Sequence, residues 1–273
     1  MHIAIVFFSA TNNTRTMAEI IKDRFIDLNA KIDLYDVTTE EARTTNLDIS
    51  TYDAAVFGFP VHSLRAPKLI RQWLGTLNGN GMKCSMFFTY GGFMVHPSHF
   101  STAEILKKRN FTVVSSAEFP GKHTYNLAGW NAFPDRPDKR EFELAKIYVE
   151  ATYRRFTGED TNILSRLDQN IFSEEQLDNF EKLRYKIITT LPTRSGQDCC
   201  MCGMCEKLCP TQAMDYILGV ANPELCIACL RCVAICPEEA LKTNDTRPSW
   251  NRKLSMSNTS EIKLNSQNGK IYL

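Results

Sequence analysis

The sequence predicts an α/β fold: a five-stranded parallel sheet with helices on both faces, followed by a small cysteine-rich unit. Three observations predict it. Short continuous apolar runs alternate with stretches of helical periodicity over residues 1–160. Of the ten cysteines, all but Cys84 fall between 199 and 236. The 273 residues suit about two domains.

The elements follow in order. Residues 3–8, IAIVFF, read as a strand buried on both faces. Met17, Ile20, Ile21 and Phe25 then recur at helical spacing. Ile32 and Leu34 alternate with polar residues as a second strand, and AAVFGF at 54–59 is a third. Pro67 opens a helix whose buried face is Ile70, Trp73, Leu74 and Leu77. SMFFTY at 85–90 is a fourth strand. Ser101 and Glu104 have capping-box spacing before Ile105 and Leu106. Phe111, Val113 and Val114 start a fifth strand, and an amphipathic helix runs from about Asp138 to Arg155, ended by Gly158. Five such strands suit the order 2-1-3-4-5, which binds its ligand where the order reverses, at the loops after strands one, three and four. A helix over 173–190 opens on the box Ser173–Gln176 and carries Leu177, Phe180, Leu183 and Ile187 on one face. Residues 192–196 read as a hinge. From 243 the chain is polar and reads as disordered; the competing reading is a hairpin at Asn268–Gly269 pairing Ile262 and Leu264 with Ile271 and Leu273.

Composition narrows the function. A net charge of +1 gives no general attraction to nucleic acid or to a membrane surface. No apolar run approaches the roughly 18 residues of a membrane span. The N-terminus MHIAIVFFSATNN lacks a basic segment before its apolar run and a cleavage site after it. The expectation is a cytoplasmic protein with reduced thiols.

The cysteines form two copies of one pattern. Cys199, Cys202, Cys205 and Cys209 are followed by Pro210; Cys226, Cys229, Cys232 and Cys236, followed by Pro237, repeat them at a constant offset. Ala213 and Ala240 keep the same offset. The run C-x2-C-x2-C-x3-C-P is that of 4Fe–4S binding, in which the fourth cysteine of each run ligates the other cluster. That rule assigns one cluster to Cys199, Cys202, Cys205 and Cys236, and the other to Cys226, Cys229, Cys232 and Cys209. Disulfides do not suit reduced thiols, and structural zinc rarely uses a run ending in Cys-Pro. Cys200 falls outside the repeat and is a bystander. Cys84 opens an apolar strand and is expected to act as a small buried hydrophobe.

Ser9-Ala10-Thr11-Asn12-Asn13-Thr14 joins the first strand to the first helix. Hydroxyls and carboxamides around a helix N-terminus suit a phosphate, here held by neutral donors because no Lys or Arg lies in 9–14. The competing reading is plain helix capping. Pro60-Val61-His62-Ser63 follows the third strand and Tyr90-Gly91-Gly92-Phe93 the fourth. Gly91 and Gly92 permit close backbone approach to a flat ligand, and Tyr90, Phe93 and His62 offer ring faces. Residues 119–136 form a long loop with His123, Tyr125, Trp130 and Phe133; it covers the flat ligand, packs the cysteine unit or is ordinary surface.

With these residues in place, the chain resembles a flavodoxin fused to a bacterial-type two-cluster ferredoxin, a combination of anaerobes. The flavodoxin phosphate-loop pattern is met at Ser9, Thr11 and Thr14 and departs at Asn12, where Gly is usual. Asn tolerates left-handed backbone angles. The resemblance implies FMN as a cofactor beside the two 4Fe–4S clusters. It puts the phosphate at Ser9, Thr11, Asn12, Asn13 and Thr14, with the isoalloxazine flanked by Pro60–Ser63 and Tyr90–Phe93. It divides the chain into a flavodoxin-like domain at 1–160, a connecting helix and hinge at 161–194, an α+β ferredoxin domain at 195–242 and a tail at 243–273. The expected role is an electron carrier relaying between the clusters and FMN, working with redox partner proteins, with no catalytic acid, base or nucleophile. A homodimer is one arrangement this reading allows. Two alternatives stand beside it: a ferredoxin-fed flavin reductase of a quinone, nitro compound or metabolite, and a redox-sensing module with a vestigial flavin site.

Overall fold

The computed structural model describes residues 1–45, 47–165, 167, 171–196 and 198–273, and of 183–187 the backbone alone. Strands β1 (His2–Phe7), β2 (Lys31–Asp36), β3 (Ala54–Pro60), β4 (Lys83–Tyr90) and β5 (Thr112–Pro120) form a parallel sheet. Their order is β2-β1-β3-β4-β5, as expected. Between them run α1 (Asn13–Asp27), α2 (Glu40–Thr44), α3 (Lys68–Leu74) and α4 (His96–Lys108), and α5 (Lys139–Thr157) follows.

β1 explains the two-sided core. Ile3, Ile5 and Phe7 pack with Met17, Ile21, Phe25 and Tyr148 of α1 and α5. Ala4, Val6 and Phe8 face the other way, toward Ile70, Leu74 and Leu106 of α3 and α4. Cys84 is fully buried in this second layer, and burial pushes its thiol well above the ordinary value. α5 carries the capping box Asp138–Glu141 and ends on Gly158 in the left-handed conformation. α4 begins at His96, not at Ser101: Pro97 in its first turn gives the start signal, and Ser101 lies inside the helix.

The connecting helix α6 (Glu174–Ile187) docks on the first domain. Arg65, 2% exposed, bonds Glu174 at 2.7 Å and Asp178 at 2.5 Å, and Glu181 reaches both Arg65 and Arg71. Leu177 is fully buried, but Phe180 is exposed; the expected apolar side chains of Leu183 and Ile187 lie outside the described residues. The segment expected as a hinge contains β6 (Thr193–Arg194). It joins α7 (Met204–Lys207), β7 (Met214–Asp215), β8 (Val220–Ala221), α8 (Arg231–Ile235) and β9 (Leu241–Lys242) in the second domain, whose sheet runs β7-β8-β6-β9. A two-residue strand is too short to leave a periodic signal.

The tail is ordered, against expectation. It forms α9 (Arg247–Met256), α10 (Glu261–Asn265) and β10 (Lys270–Tyr272). β10 pairs antiparallel with β5 at the sheet edge, so Ile271 lies opposite Ala117 and no hairpin with Ile262 forms. Trp250 and Leu264 are buried against Trp130 and Phe133, with Leu254, one turn after Trp250, packed beside them. So few apolar residues leave only a short periodic signal, but each buries a large apolar area once the loop at 119–136 supplies a partner.

Candidate functional site

A cleft opens where β1 and β3 diverge, at the carboxyl ends of the strands. Ser9, Thr11, Asn13, Thr14, Pro60, Val61, His62, Tyr90 and Gly91 line it. Thr14 is buried and shares a hydroxyl hydrogen bond of 2.7 Å with Thr89, which lies on the same wall. Ser9 accepts the Arg15 backbone N–H at 3.1 Å. Asn12 takes a left-handed φ of 69° at the N-cap, as its residue type allows, and makes no side-chain cap bond. Its side chain is exposed and does not line the cleft.

The cleft continues over Ser63 and Phe93 to Tyr125, Trp130, Ile188 and Lys253. Ser63 and Leu64 both hold positive φ, 47° and 72°, in the tight turn closed by the paired backbones of His62 and Arg65. Burial, then the Glu118 carboxylate, pushes the Tyr90 phenol up and keeps it neutral. The two glycines work differently from expectation. A Cβ at Gly91 would stand 2.1 Å from the His123 ring, and one at Gly92 would meet Leu264 and Phe133. Their missing side chains admit neighbouring side chains of this chain, and Gly92 does not line the cleft.

Sequence reasoning missed Thr89, Lys122, Thr124 and Lys253. Lys122 and Thr124 line the cleft beside Ser9–Thr14, so a cation does reach that loop, from the loop at 119–136. Asn13 fixes that loop through a carboxamide bond to the Lys122 carbonyl at 2.5 Å. The clustered aromatics of 119–136 were the signal for this. His123, Phe93 and Trp250 cluster around Trp130, with centroids 4.6 Å apart for the tilted His123–Trp130 pair and 5.2 Å for Trp130–Trp250, and Phe93 meets Trp130 edge-on.

The cysteines fall into two groups. Cys199, Cys202, Cys205 and Cys236 line one cavity, with Cys200 at its side. Burial, then the neighbouring Cys236 and Cys199 thiols, pushes the Cys205 thiol up. Cys232 is raised by burial first and then by Cys229, Cys226 and Cys209. The fourth cysteine of each run thus stands with the first three of the other. Among the described residues, no three His, Cys, Asp or Glu meet closely enough for a single metal ion. Four thiols around one space are the donor set that a cubane of four irons takes.

The duplication extends to the backbone. Met201 and Ala228, Gly203 and Leu230, and Gln212 and Glu239 are repeat-related pairs, and all six hold positive φ. The N–H groups of Ala213 and Ala240 each donate to a sulfur at 3.3 Å, of Cys209 and Cys236 respectively. This gives the repeated alanines a role: hydrogen bonds to ligand sulfur stabilise the thiolate and tune a cluster's potential.

The two copies differ in what they face. Gly203 and Met204 of the first have Leu230 and Arg231 as counterparts in the second. Met204 is exposed, while Leu230 is 1% exposed beneath Trp130, Phe133 and Trp250. Arg231 donates to the carbonyls of Ser9 and Ala10 at 2.9 and 3.1 Å. Cys229 is buried in the core layer that contains Phe8 and Ala10. The group with Cys209, Cys226, Cys229 and Cys232 therefore abuts the cleft, while Met201, Cys202 and Met204 of the other lie at the surface.

The family profile described as the 4Fe–4S binding domain matches residues 220–242, which hold the second cysteine run. No curated protein matches the chain. Among solved structures, a flavodoxin from the domain Archaea is 16% identical at a TM-score of 0.45, covering 57% of this chain and 99% of that one. Flavodoxin 2 from Bacillus cereus is 15% identical at a TM-score of 0.44, with 57% and 99% covered. The rubredoxin oxygen:oxidoreductase of Desulfovibrio gigas is 16% identical at 0.44, and the match spans 58% of this chain but 36% of that one. With the sheet order 2-1-3-4-5 and the matched cysteine run, the chain joins a flavodoxin-like α/β fold to a 4Fe–4S binding domain.

Proposed function

We propose that this protein is an internal electron relay in which electrons enter at the outer cluster, Cys199/Cys202/Cys205/Cys236, pass to the inner cluster, Cys226/Cys229/Cys232/Cys209, and reach FMN in the cleft. The contact of Arg231 with the Ser9 and Ala10 carbonyls carries this reading, because it ties the loop between two inner-cluster ligands to the phosphate loop. FMN, when bound, couples single-electron carriers to a two-electron acceptor, and the clusters pass one electron at a time. Thr14, Thr11 and Lys122 are suited to hold the phosphate. The Val61–Ser63 and Tyr90–Phe93 loops and Tyr125 are suited to bound the ring. Leu230, buried under Trp130 and Trp250, keeps the inner cluster against the cleft and excludes water between them. The exposed first cysteine run is the side open to a redox partner protein. No helix is long and apolar enough to cross a membrane among the described residues.

Stopped-flow mixing of the FMN- and cluster-loaded protein with a reduced low-potential donor tests the relay. The flavin is expected to bleach after the clusters, at a rate independent of protein concentration. A rate proportional to concentration would mean transfer between molecules. A flavin that stays oxidised beside fully reduced clusters would overturn the reading.

A further inference from the structure

Among the described residues, Lys253 is the one charged side chain on the end of the cleft beyond Ser63 and Phe93, and it comes from the tail helix α9. Its ammonium stands 4.9 Å from the centroid of the Phe93 ring. It makes no ion pair among the described residues, although Arg247 on the same helix pairs with Asp245 at 2.7 Å. Partial burial disfavours its charge and lowers its pKa. A half-buried cation that keeps its charge without an anionic partner costs free energy, which contact with an aromatic face offsets only in part. Trp130 and Trp250 hold α9 in place: Trp130 Nε1 donates to the Thr246 carbonyl at 3.0 Å and to Ser249 at 2.8 Å, and Trp250 Nε1 donates to Glu261 at 2.8 Å. The cation is thus fixed at the wall of the cleft by the tail.

We propose that Lys253 is the counter-charge for the reduced flavin, making this cleft prefer reduced over oxidised FMN. The proposal rests on the FMN reading above. Two electrons and one proton convert neutral oxidised isoalloxazine into a reduced ring carrying one negative charge; the electrons come from the clusters and the proton from solvent. The charge appears only on reduction, so a nearby ammonium acts on the reduced form and leaves the oxidised form nearly untouched. Lys253 is therefore a binding residue for one redox state, and the tail that carries it sets the potential of the site.

The test uses the full protein loaded with clusters and FMN, in wild-type, Lys253→Met and Lys253→Arg forms. Oxidised FMN affinity is read by fluorescence titration, and the flavin midpoint by a spectroelectrochemical titration. Lys253→Met should bind oxidised FMN within about twofold of wild type. Its preference for reduced FMN should fall about tenfold, which for a two-electron couple lowers the midpoint by about 30 mV. Lys253→Arg keeps the charge and should restore most of the preference. Oxidised binding unchanged in Lys253→Met together with an unchanged midpoint would overturn the role of Lys253 and leave the FMN reading standing. A parallel loss of both redox forms would make Lys253 a packing residue and also overturn it. A wild-type protein that binds no FMN would overturn both.

Discussion

Arg231 Nη1 donates to the Ser9 carbonyl at 2.9 Å, across 222 residues of sequence. The same nitrogen reaches the Ala10 carbonyl, so one guanidinium between Cys229 and Cys232 holds the first two residues of the loop Ser9–Thr14. Arg231→Ala should keep its iron and weaken FMN binding about tenfold, since a hydrogen bond from a charged donor contributes about 1.5–3 kcal/mol. Iron analysis and FMN titration of the same preparation check both halves of the statement.

Cys202→Ser and Cys229→Ser should separate the clusters. Each is expected to lose part of its iron. Cys202→Ser should keep the inner cluster and its electronic contact with the flavin, while Cys229→Ser should also loosen the domain contact, because Cys229 is buried in the core layer. EPR and iron content measure the first effect, and limited proteolysis between the domains the second. Cys200→Ser should change neither.

Leu230→Gly sets two effects against each other. Glycine relieves a left-handed φ of 54°, about 1 kcal/mol. It also removes a buried leucine from among Trp130, Phe133 and Trp250, about 2–5 kcal/mol. Loss of packing wins, so the variant should melt at lower temperature and bury Trp130 less, seen as a red-shifted tryptophan emission.

Gly91→Ala should disturb the cleft without backbone strain. Its Cβ would meet the His123 ring at 2.1 Å, so that ring must move along the cleft wall. FMN affinity should fall severalfold while cluster content holds. Thr14→Ala, which removes the hydroxyl bonded to Thr89, should weaken FMN about tenfold for a different reason, the loss of a donor to the phosphate.

Cys84 provides a pH test. Burial raises its thiol far above the ordinary value of 9.0. In the unfolded chain the thiol ionises near that value, whereas in the native state it stays protonated. The native state therefore binds more protons at alkaline pH, and the Cys84 contribution to stability is full below 9 and declines as pH rises above it. Urea unfolding of wild type and Cys84→Ala from pH 7.5 to 10 should show the variant losing less stability across that window. Iodoacetamide mapping of the native protein should label Cys200 and spare Cys84.

The sequence by itself determined the sheet and the cysteine sets. A short apolar run such as 3–8, rich in Ile, Val and Phe, suits a strand buried on both faces, and β1 fills both core layers. For the repeated cysteine spacing, the exchange rule of two-cluster runs grouped Cys236 with the first run and Cys209 with the second, and the fold brings those side chains together. Local signals also placed the start of α5 near Asp138 and its end at Gly158, and allowed the left-handed Asn12. Only the tertiary structure decided how the pieces meet. Trp250, Leu254 and Leu264 are few among the polar residues of the tail, and so short a pattern does not say what it packs on; their role, and that of Lys253, appears when the loop at 119–136 gives them a partner. Gly91 and Gly92 read as seats for a flat ligand, and His123 and Leu264 took the space. Leu230 and Arg231 differ from Gly203 and Met204 by two substitutions in a repeat. What those substitutions do depends on which copy lies against the phosphate loop, a long-range contact that no local pattern encodes.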